Sequence, residues 1–515
     1  MFSQAGGWDM QYFLTGKRMQ AADRYTIEIL GIPSLTLMER AAEACVNIME
    51  AEGIDLSKPC VVCGSGNNGG DGFAIARMLS ERGHTVQVCM AGNISHCTEE
   101  TSCQIERLKR TGTKICDGYV PGEYSIIVDA MFGVGLNREV AGHCSQIIRQ
   151  MNEADGVKFS VDIPSGISAD SGMVLGTAFR ADMTVTFQKK KIGLMLPEGR
   201  SYAGKLVAVD IGINTEQAEK APDTVYALDA GDYRKLLPAR PEDSNKGSFG
   251  KLLVIAGSKG MSGAAYLNAA AAYKSGAGLV QIYTAEENRT ILQTLLPEAI
   301  IQSYERYDEE KLLSLLAWAD AVCIGSGIGM GEDSRRILET TLKHISVPCL
   351  IDADGLNLMA EHPEYWDDLP EGASVVITPH MKEMSRLLDV PVSRIKEERL
   401  SLLKLFTDTH PAVCILKDSR TLTAASGGQS ALNLSGNAAM AKAGSGDVLA
   451  GITAGLMVQG LSCMDAALLG TFVHGLSGDL AREEMGPYSV MAGDLIRHVG
   501  NAFLEILKTQ KNNKS

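Results

Sequence analysis

The stretch CVVCGSGNNGGDG, residues 60–72, decides the fold. CVVCG reads as a buried strand and the glycines after it as a tight turn, and the spacing predicts a helix over 70–82. Glycines at 64, 66 and 69 spell G-x-G-x-x-G between strand and helix, the setting a dinucleotide turn needs. Two features depart from a redox enzyme's version. The acidic residue expected about 20 positions on is absent, because the next strand ends VCMAG (88–92). Asp71 also brings negative charge to a helix start, where a pyrophosphate would lie. The turn is therefore expected to hold a nucleotide outside the redox pose; the same glycines also suit a purely structural strand-to-helix turn.

Working outward, two amphipathic helices precede this unit, 15–30 opened by Thr15 and 34–51 opened by Ser34. Strand-like runs follow at 85–90, 125–130, 159–163, 183–187 and 206–212, with helical periodicity at 98–110 and 140–152. Alternation of this kind predicts a mostly parallel sheet covered by helices on both faces. The segment 214–232 carries no strong period and takes the domain boundary. A second α/β series follows, with strands near 251–256, 279–284, 321–325, 348–352, 374–378, 412–417 and 421–425. Its helices fall near 262–275, 332–344, 381–388, 393–409, 446–459, 463–483 and 492–508. The halves share no motif, which reads as a fusion. The expected division is 1–214, a linker at 215–224, and 225–508.

A chain of 515 residues exceeds what one core serves, in keeping with two domains. The net charge of −14 argues against nucleic acid or an anionic membrane as a partner. No run is long and apolar enough to span a bilayer. The opening MFSQAGGWDMQYFLTGK lacks the layout of a secretory signal, so the expectation is a cytoplasmic protein whose twelve cysteines are thiols. Cys60 and Cys63 form a C-x-x-C, but on a strand their odd offset sends them to opposite faces.

Two further strand ends carry polar groups, VDAMFGVG (128–135) and SVDIPSG (160–166). In a parallel sheet such ends line one crevice, so Asn67, Asn68, Asp71, Asp129, Asp162 and Ser165 are expected to converge. Oxygen donors without histidine suit a hard cation, and an aspartate closing a buried strand is a candidate acid or base. Either aspartate could instead cap a turn or helix.

NNGGDG, VDAMFGVG and VDIPSG, in that order behind two helices, resemble NAD(P)H-hydrate epimerase over roughly residues 10–214. The resemblance implies a Rossmann-like three-layer α/β/α sandwich acting on a hydrated NADH or NADPH. It implies that Asn67, Asn68, Gly69, Gly70 and Asp71, with Gly133, Val134, Gly135, Leu136, Asn137, Arg138 and Glu139, line the hydrate site. It implies potassium on Asn68, Asp129 and Ser165, and substrate binding with proton transfer by Asp162.

In the second half, MAKAGSGDVLAG (440–451) puts Asp447 in a small-residue turn at a helix start, where anions bind. An early-helix carboxylate can be there for the dipole alone. The opening run from Lys251 resembles ribokinase-like kinases, in which such a turn cradles the transferred phosphate and its aspartate takes the proton of the attacking hydroxyl. GMSGAAYLNAAAAYKSGAGLV, IDADGLN, TPHMKEMSRLL and NLSGNAAMAKAGSGDVLAG are more specifically similar to ADP/ATP-dependent NAD(P)H-hydrate dehydratase, over about 225–508. That resemblance implies a ribokinase-like α/β/α fold and Mg²⁺ brought with ADP or ATP. It places Ala264, Gly327, Gly329, His380 and Asp447 at the hydrate, and Lys417, Asp418, Ser419, Arg420, Thr421 and Gly446 at the nucleotide. Two departures stand out: Lys417-Asp418 replaces the family's Lys-Gly, and Lys442-Ala443-Gly444 its Thr-Gly-Gly. Together the halves imply bifunctional repair of R and S hydrates by a homo-oligomer. The alternatives are a vitamin-precursor kinase fused to a nucleotide-binding domain, and a nucleotide sensor without turnover.

Overall fold

The computed structural model describes residues 10–508, so residues 1–9 of the opening stretch and 509–515 lie outside the described residues. The chain divides into two compact units, one of Tyr12–Val225 and one of the residues from Tyr226 onward together with Met10 and Gln11.

The first unit holds a seven-stranded sheet. Across the sheet the strands are Ile115–Asp117, Gln87–Met90, Pro59–Cys63, Ile126–Ala130, Val157–Val161, Met183–Phe187 and Lys205–Val209. Every pairing is parallel. The chain steps one way from Pro59–Cys63, then returns to pair Ile126–Ala130 on its other side. That reversal opens a crevice at the strands' carboxyl ends. Side chains alternate between two cores: Val61 and Cys63 join Leu37, Phe73 and Ile75, while Cys60 and Val62 join Ile147 and Met151. The C-x-x-C pair is thus split between the faces, and all twelve cysteines are free thiols.

Thr15 caps the helix Gly16–Glu28 by accepting from the Arg18 N–H. The helix Ser34–Ala51 differs from expectation: Pro33 holds the cap position, and no side chain caps that end. Residues 215–224 form a short helix, Glu216–Glu219, with Thr224 fully buried and Asp223 paired to Arg18 at 2.6 Å.

The second unit's sheet includes, in order, Val225–Ala227, Ser430–Leu432, Leu422–Ala424, Ala412–Leu416, Val375–Ile377, Cys349–Ile351, Ala321–Ile324, Lys251–Ile255, Leu279–Ala285 and Ile300–Tyr304. Its central pairings are parallel, and the two strands after Ala412–Leu416 fold back antiparallel. The reversal here lies between Lys251–Ile255 and Ala321–Ile324. Alanines and glycines let the helices Ser262–Lys274 and Ser445–Met457 press together: a Cβ on Gly451 would lie 2.2 Å from the Asn268 carbonyl oxygen. The expected helix 393–409 is two, Val392–Glu397 and Arg399–Thr409, separated at Glu398. No described helix is long and apolar enough to cross a membrane.

Candidate active sites

At the first crevice lies a cavity of about 660 Å³, within the usual range for ligand pockets. Asn67, Asn68 and Asp71 from the glycine turn and its helix line it, as do Gly133 through Arg138, and Asp162. Glu139 does not. Gly69 and Gly70 are buried rather than lining, and a Cβ on Gly69 would sit 1.9 Å from the Gly64 carbonyl oxygen. Gly69 brings the helix against the strand end and Gly70 packs it on Met38 and Thr101; Gly66 has open space beside it and faces the cavity.

Asp129 is fully buried behind the cavity wall. Its oxygens accept from Ser165 Oγ at 2.6 Å and the Ser165 N–H at 2.7 Å. Ser165 Oγ in turn accepts from the Phe132 N–H at 2.9 Å, which ties this pair to the 132–138 loop. Burial pushes the Asp129 carboxyl up to about 6, although Ser165 donates to it. Asn68 Nδ2 is buried with no hydrogen-bond partner.

Three residues that the sequence did not single out complete the site: Lys191, Thr186 and Asp23. Lys191 is fully buried, lines the cavity and pairs with Asp162 at 2.5 Å. Burial and the Asp162 charge raise the pKa of Asp23; burial, Asp162 and Asp23 raise that of Asp71. Asp162 itself has φ +68°, a sparsely populated region for a non-glycine residue.

The second site gathers around Lys417. Its Nζ donates to Asp352 Oδ1 at 2.8 Å, lies 3.9 Å from Glu383 Oε2, and stands 3.3 Å from where a Gly446 Cβ would be. Burial works against the Lys417 charge, but Asp352 and Glu383 outweigh it and raise its pKa. Asp352 is fixed by Thr378 Oγ1 at 2.5 Å and Ser326 Oγ at 3.3 Å. Ala353 beside it has φ +50°, which sets Asp352 and Asp354 on either side of a strained residue. Asp354 accepts from the Gly329 N–H at 2.9 Å, and Gly327 packs on Ala264 so closely that a Cβ on Gly327 would lie 3.1 Å from the Ala264 methyl.

Asp447 occupies the first turn of Ser445–Met457, behind Gly444 in the left-handed region at φ +87°. Burial first, then Asp352, pushes its carboxyl up to about 6. His380 caps Met381–Leu388: its Nδ1 accepts from the Lys382 and Glu383 N–H groups at 3.1 Å each. A parallel bridge joins His380 to Lys417 and so to this site.

The hairpin residues divide. Ser419 is exposed and Thr421 half-buried. Arg420 is 8% exposed and donates to the Leu434 carbonyl at 2.8 Å. The Asp418 carboxylate faces Arg399, fully buried, at 3.1 Å. Asp418 is therefore an inward partner for a buried guanidinium. Asp418→Ala is expected to lower stability by about 1–3 kcal/mol, the cost of taking a facing partner from a buried polar group. Nucleotide affinity should stay within twofold; urea unfolding and calorimetry on the same variant check both. Lys442 is exposed, 3.4 Å from the Tyr488 carbonyl oxygen.

Among known proteins, a family model described as NAD(P)H-hydrate dehydratase matches residues 252–500. One described as YjeF-related protein N-terminus matches residues 34–193. A Bifunctional NAD(P)H-hydrate repair enzyme Nnr of Moorella thermoacetica is 35% identical, over 94% of this chain and 95% of its own. Proteins of the same name from Coxiella burnetii and Escherichia coli are 34% and 33% identical, over 95% and 93% of this chain and 99% and 91% of theirs. A solved ADP/ATP-dependent NAD(P)H-hydrate dehydratase from Bacillus subtilis, co-crystallized with ATP/Mg²⁺, is 27% identical, with a TM-score of 0.48, covering 54% of this chain and 97% of that one. With two sites on two units and relatives that match along nearly its whole length, the chain belongs to the bifunctional NAD(P)H-hydrate repair enzymes.

Proposed function

We propose that the first unit interconverts the R and S hydrates of NADH and NADPH, and that the second dehydrates the S form using ADP or ATP. The observation that carries this reading is a chain with two separate carboxylate sites, one in a cavity at a dinucleotide turn and one at a phosphate turn under a lysine.

In the first site the hydroxyl-bearing carbon of the hydrate is bonded to the ring nitrogen. Asp162 takes the hydroxyl proton. A carbonyl forms as the carbon–nitrogen pair passes to nitrogen, where the ring carboxamide delocalises it. Closure on the other face re-forms that bond, and Asp162 returns the proton. The helix start at Asn67 and the side chain of Arg138 are placed to meet the pyrophosphate. Asp129, Ser165 and a turned Asn68 amide would hold potassium. The fit rests on a buried carboxylate supplied only with neutral donors and a buried amide nitrogen with no partner. Potassium would neutralise Asp129 and brace the 132–138 loop through Ser165.

In the second site Asp447 takes the hydroxyl proton of the hydrate, and its oxygen bonds to the terminal phosphorus of the nucleotide, whose shortened remainder leaves. Phosphate then departs with the carbon–oxygen pair. The neighbouring carbon loses a proton, and the ring double bond returns. Phosphate leaves far more readily than hydroxide, which gives the nucleotide its purpose. Lys417 lies against the glycine turn to meet the phosphates. Asp447, Asp352 and Asp354 outnumber it, so Mg²⁺ arriving with ADP or ATP suits the excess of carboxylate and would offset phosphate charge.

Phosphorus NMR of the running reaction tests this against a vitamin-precursor kinase. Inorganic phosphate should accumulate in step with restored nicotinamide. A stable phosphate ester with no phosphate released would contradict the proposal.

A further inference from the structure

Asp162 is held by one oxygen only. Its Oδ1 accepts from Lys191 Nζ at 2.5 Å, Thr186 Oγ1 at 3.1 Å and the Phe187 N–H at 3.2 Å. No described donor reaches Oδ2, and Asp162 lines the cavity. Lys191, fully buried, gives its remaining hydrogens to Thr186 Oγ1 at 2.9 Å and the Phe187 carbonyl at 3.0 Å. An ammonium has three donors, and all three are used. Lys191 therefore has none left for a ligand, and whatever it does for the reaction it does through Asp162.

The backbone supports the same arrangement. The Asp162 N–H donates to the Val185 carbonyl at 2.7 Å, which docks the aspartate on the end of the strand Met183–Phe187. Between Phe187 and Lys191 the chain turns through Gln188 at φ +62°. Gln188 Oε1 accepts from the backbone N–H groups of Ile211, Gly212 and Ile213 at 3.0–3.2 Å, which pins the turn that delivers Lys191. Two of the four described non-glycine residues with positive φ, Asp162 and Gln188, thus lie within this one constellation. Strain of this kind persists only where surrounding contacts over-determine it.

We propose that Lys191, with Thr186, is the positioning residue of the first site: it fixes Asp162 through Oδ1 so that Oδ2 alone is presented to the hydroxyl of the hydrate. This rests on reading the cavity as the epimerising site. A buried ammonium suits the task because three fixed contacts leave it no alternative position. A misplaced base loses rate more than it loses substrate affinity, since binding is spread along the dinucleotide while proton transfer depends on one oxygen.

The experiment uses the full chain, with dehydration of the purified S hydrate as an internal control. Lys191→Met should lower kcat for epimerisation roughly 10²-fold or more, with KM changed less than threefold and S dehydration unchanged. Methylammonium added to Lys191→Ala should restore part of the loss in proportion to its concentration. Thr186→Val, which keeps shape and removes two hydrogen bonds, the one Thr186 gives Asp162 and the one it accepts from Lys191, should lower kcat roughly tenfold or more. If Lys191→Met fails to fold, Thr186→Val decides alone. A folded Lys191→Met or Thr186→Val with wild-type kcat, or a loss carried by KM, overturns the proposal. A wild-type chain that does not epimerise hydrates at all overturns the underlying reading instead.

Discussion

Asp447→Asn should stop nucleotide-driven dehydration while nucleotide still binds. The carboxylate follows three small residues, Gly444, Ser445 and Gly446, at a helix start suited to phosphate. A negative charge there works against binding, so its value must lie in the chemistry. Burial and Asp352 push its carboxyl up to about 6, which leaves it ionised at neutral pH and close to the operating range of a general base. Loss of such a base lowers the rate by ~10²–10⁴, or about 3–5 kcal/mol of transition-state stabilisation. In the wild-type enzyme kcat/KM should rise as pH increases through about 6 and level off above, because the base must be deprotonated. That rise should vanish with the aspartate. Nucleotide affinity should hold or increase. Two like charges ~4 Å apart repel by about 4 kcal/mol at an effective dielectric of 20, and Lys417 and a metal reduce this further. NADH recovery, calorimetry and epimer interconversion, measured on one preparation, check the three parts. If nucleotide binding disappears with activity, Asp447 is holding the site together and the proton goes elsewhere.

Asp162→Asn should abolish R-to-S conversion and leave S dehydration intact. The amide keeps the shape but cannot take a proton through its free oxygen. Its pairing with Lys191 also becomes a neutral acceptor facing a buried ammonium. The expected loss is ~10²–10⁴ in rate, seen as an R hydrate that persists when only the S form is consumed. Epimers equilibrating at the wild-type enzyme's rate would remove Asp162 from the chemistry.

What the sequence made legible follows from locality. The strand-turn-helix at 59–81 is readable because its glycines sit where backbone crowds backbone, as Gly64 and Gly69 do. Strand ends with a polar residue at a fixed step, Asp129 and Asp162, are readable because parallel topology brings such ends together. The helices Glu332–His344, Met381–Leu388 and Ala492–Lys508 fall where their periodicity predicts. Short elements were not legible. Ile115–Asp117 and Ile300–Tyr304 are edge strands; the first is only three residues, and the second has no buried residue and so no alternation to show.

Lys191 was hidden for a different reason. In FQKKKIGLM it looks like part of a solvated basic run, and it turns inward through the bend at Gln188, which residues 211–213 pin, and through its contacts with Asp162 and Thr186. Asp352 was hidden within IDADGLN because its partners Lys417, Thr378 and Ser326 come from three other segments. Asp418 is placed at the nucleotide by the resemblance alone, and its pairing with Arg399, on a helix that precedes it in the chain, could not be read from the hairpin. In each case the missing information is a long-range contact, which no local pattern carries.

The most direct measurement incubates the purified chain with mixed R and S NADH hydrate, with ADP or ATP present or withheld, and follows recovery of nicotinamide absorbance. Two sites acting in sequence predict no recovery without nucleotide and complete recovery of both epimers with it. Recovery that stops when the S form is spent would contradict epimerisation by this chain, and no recovery with either nucleotide would contradict the account as a whole.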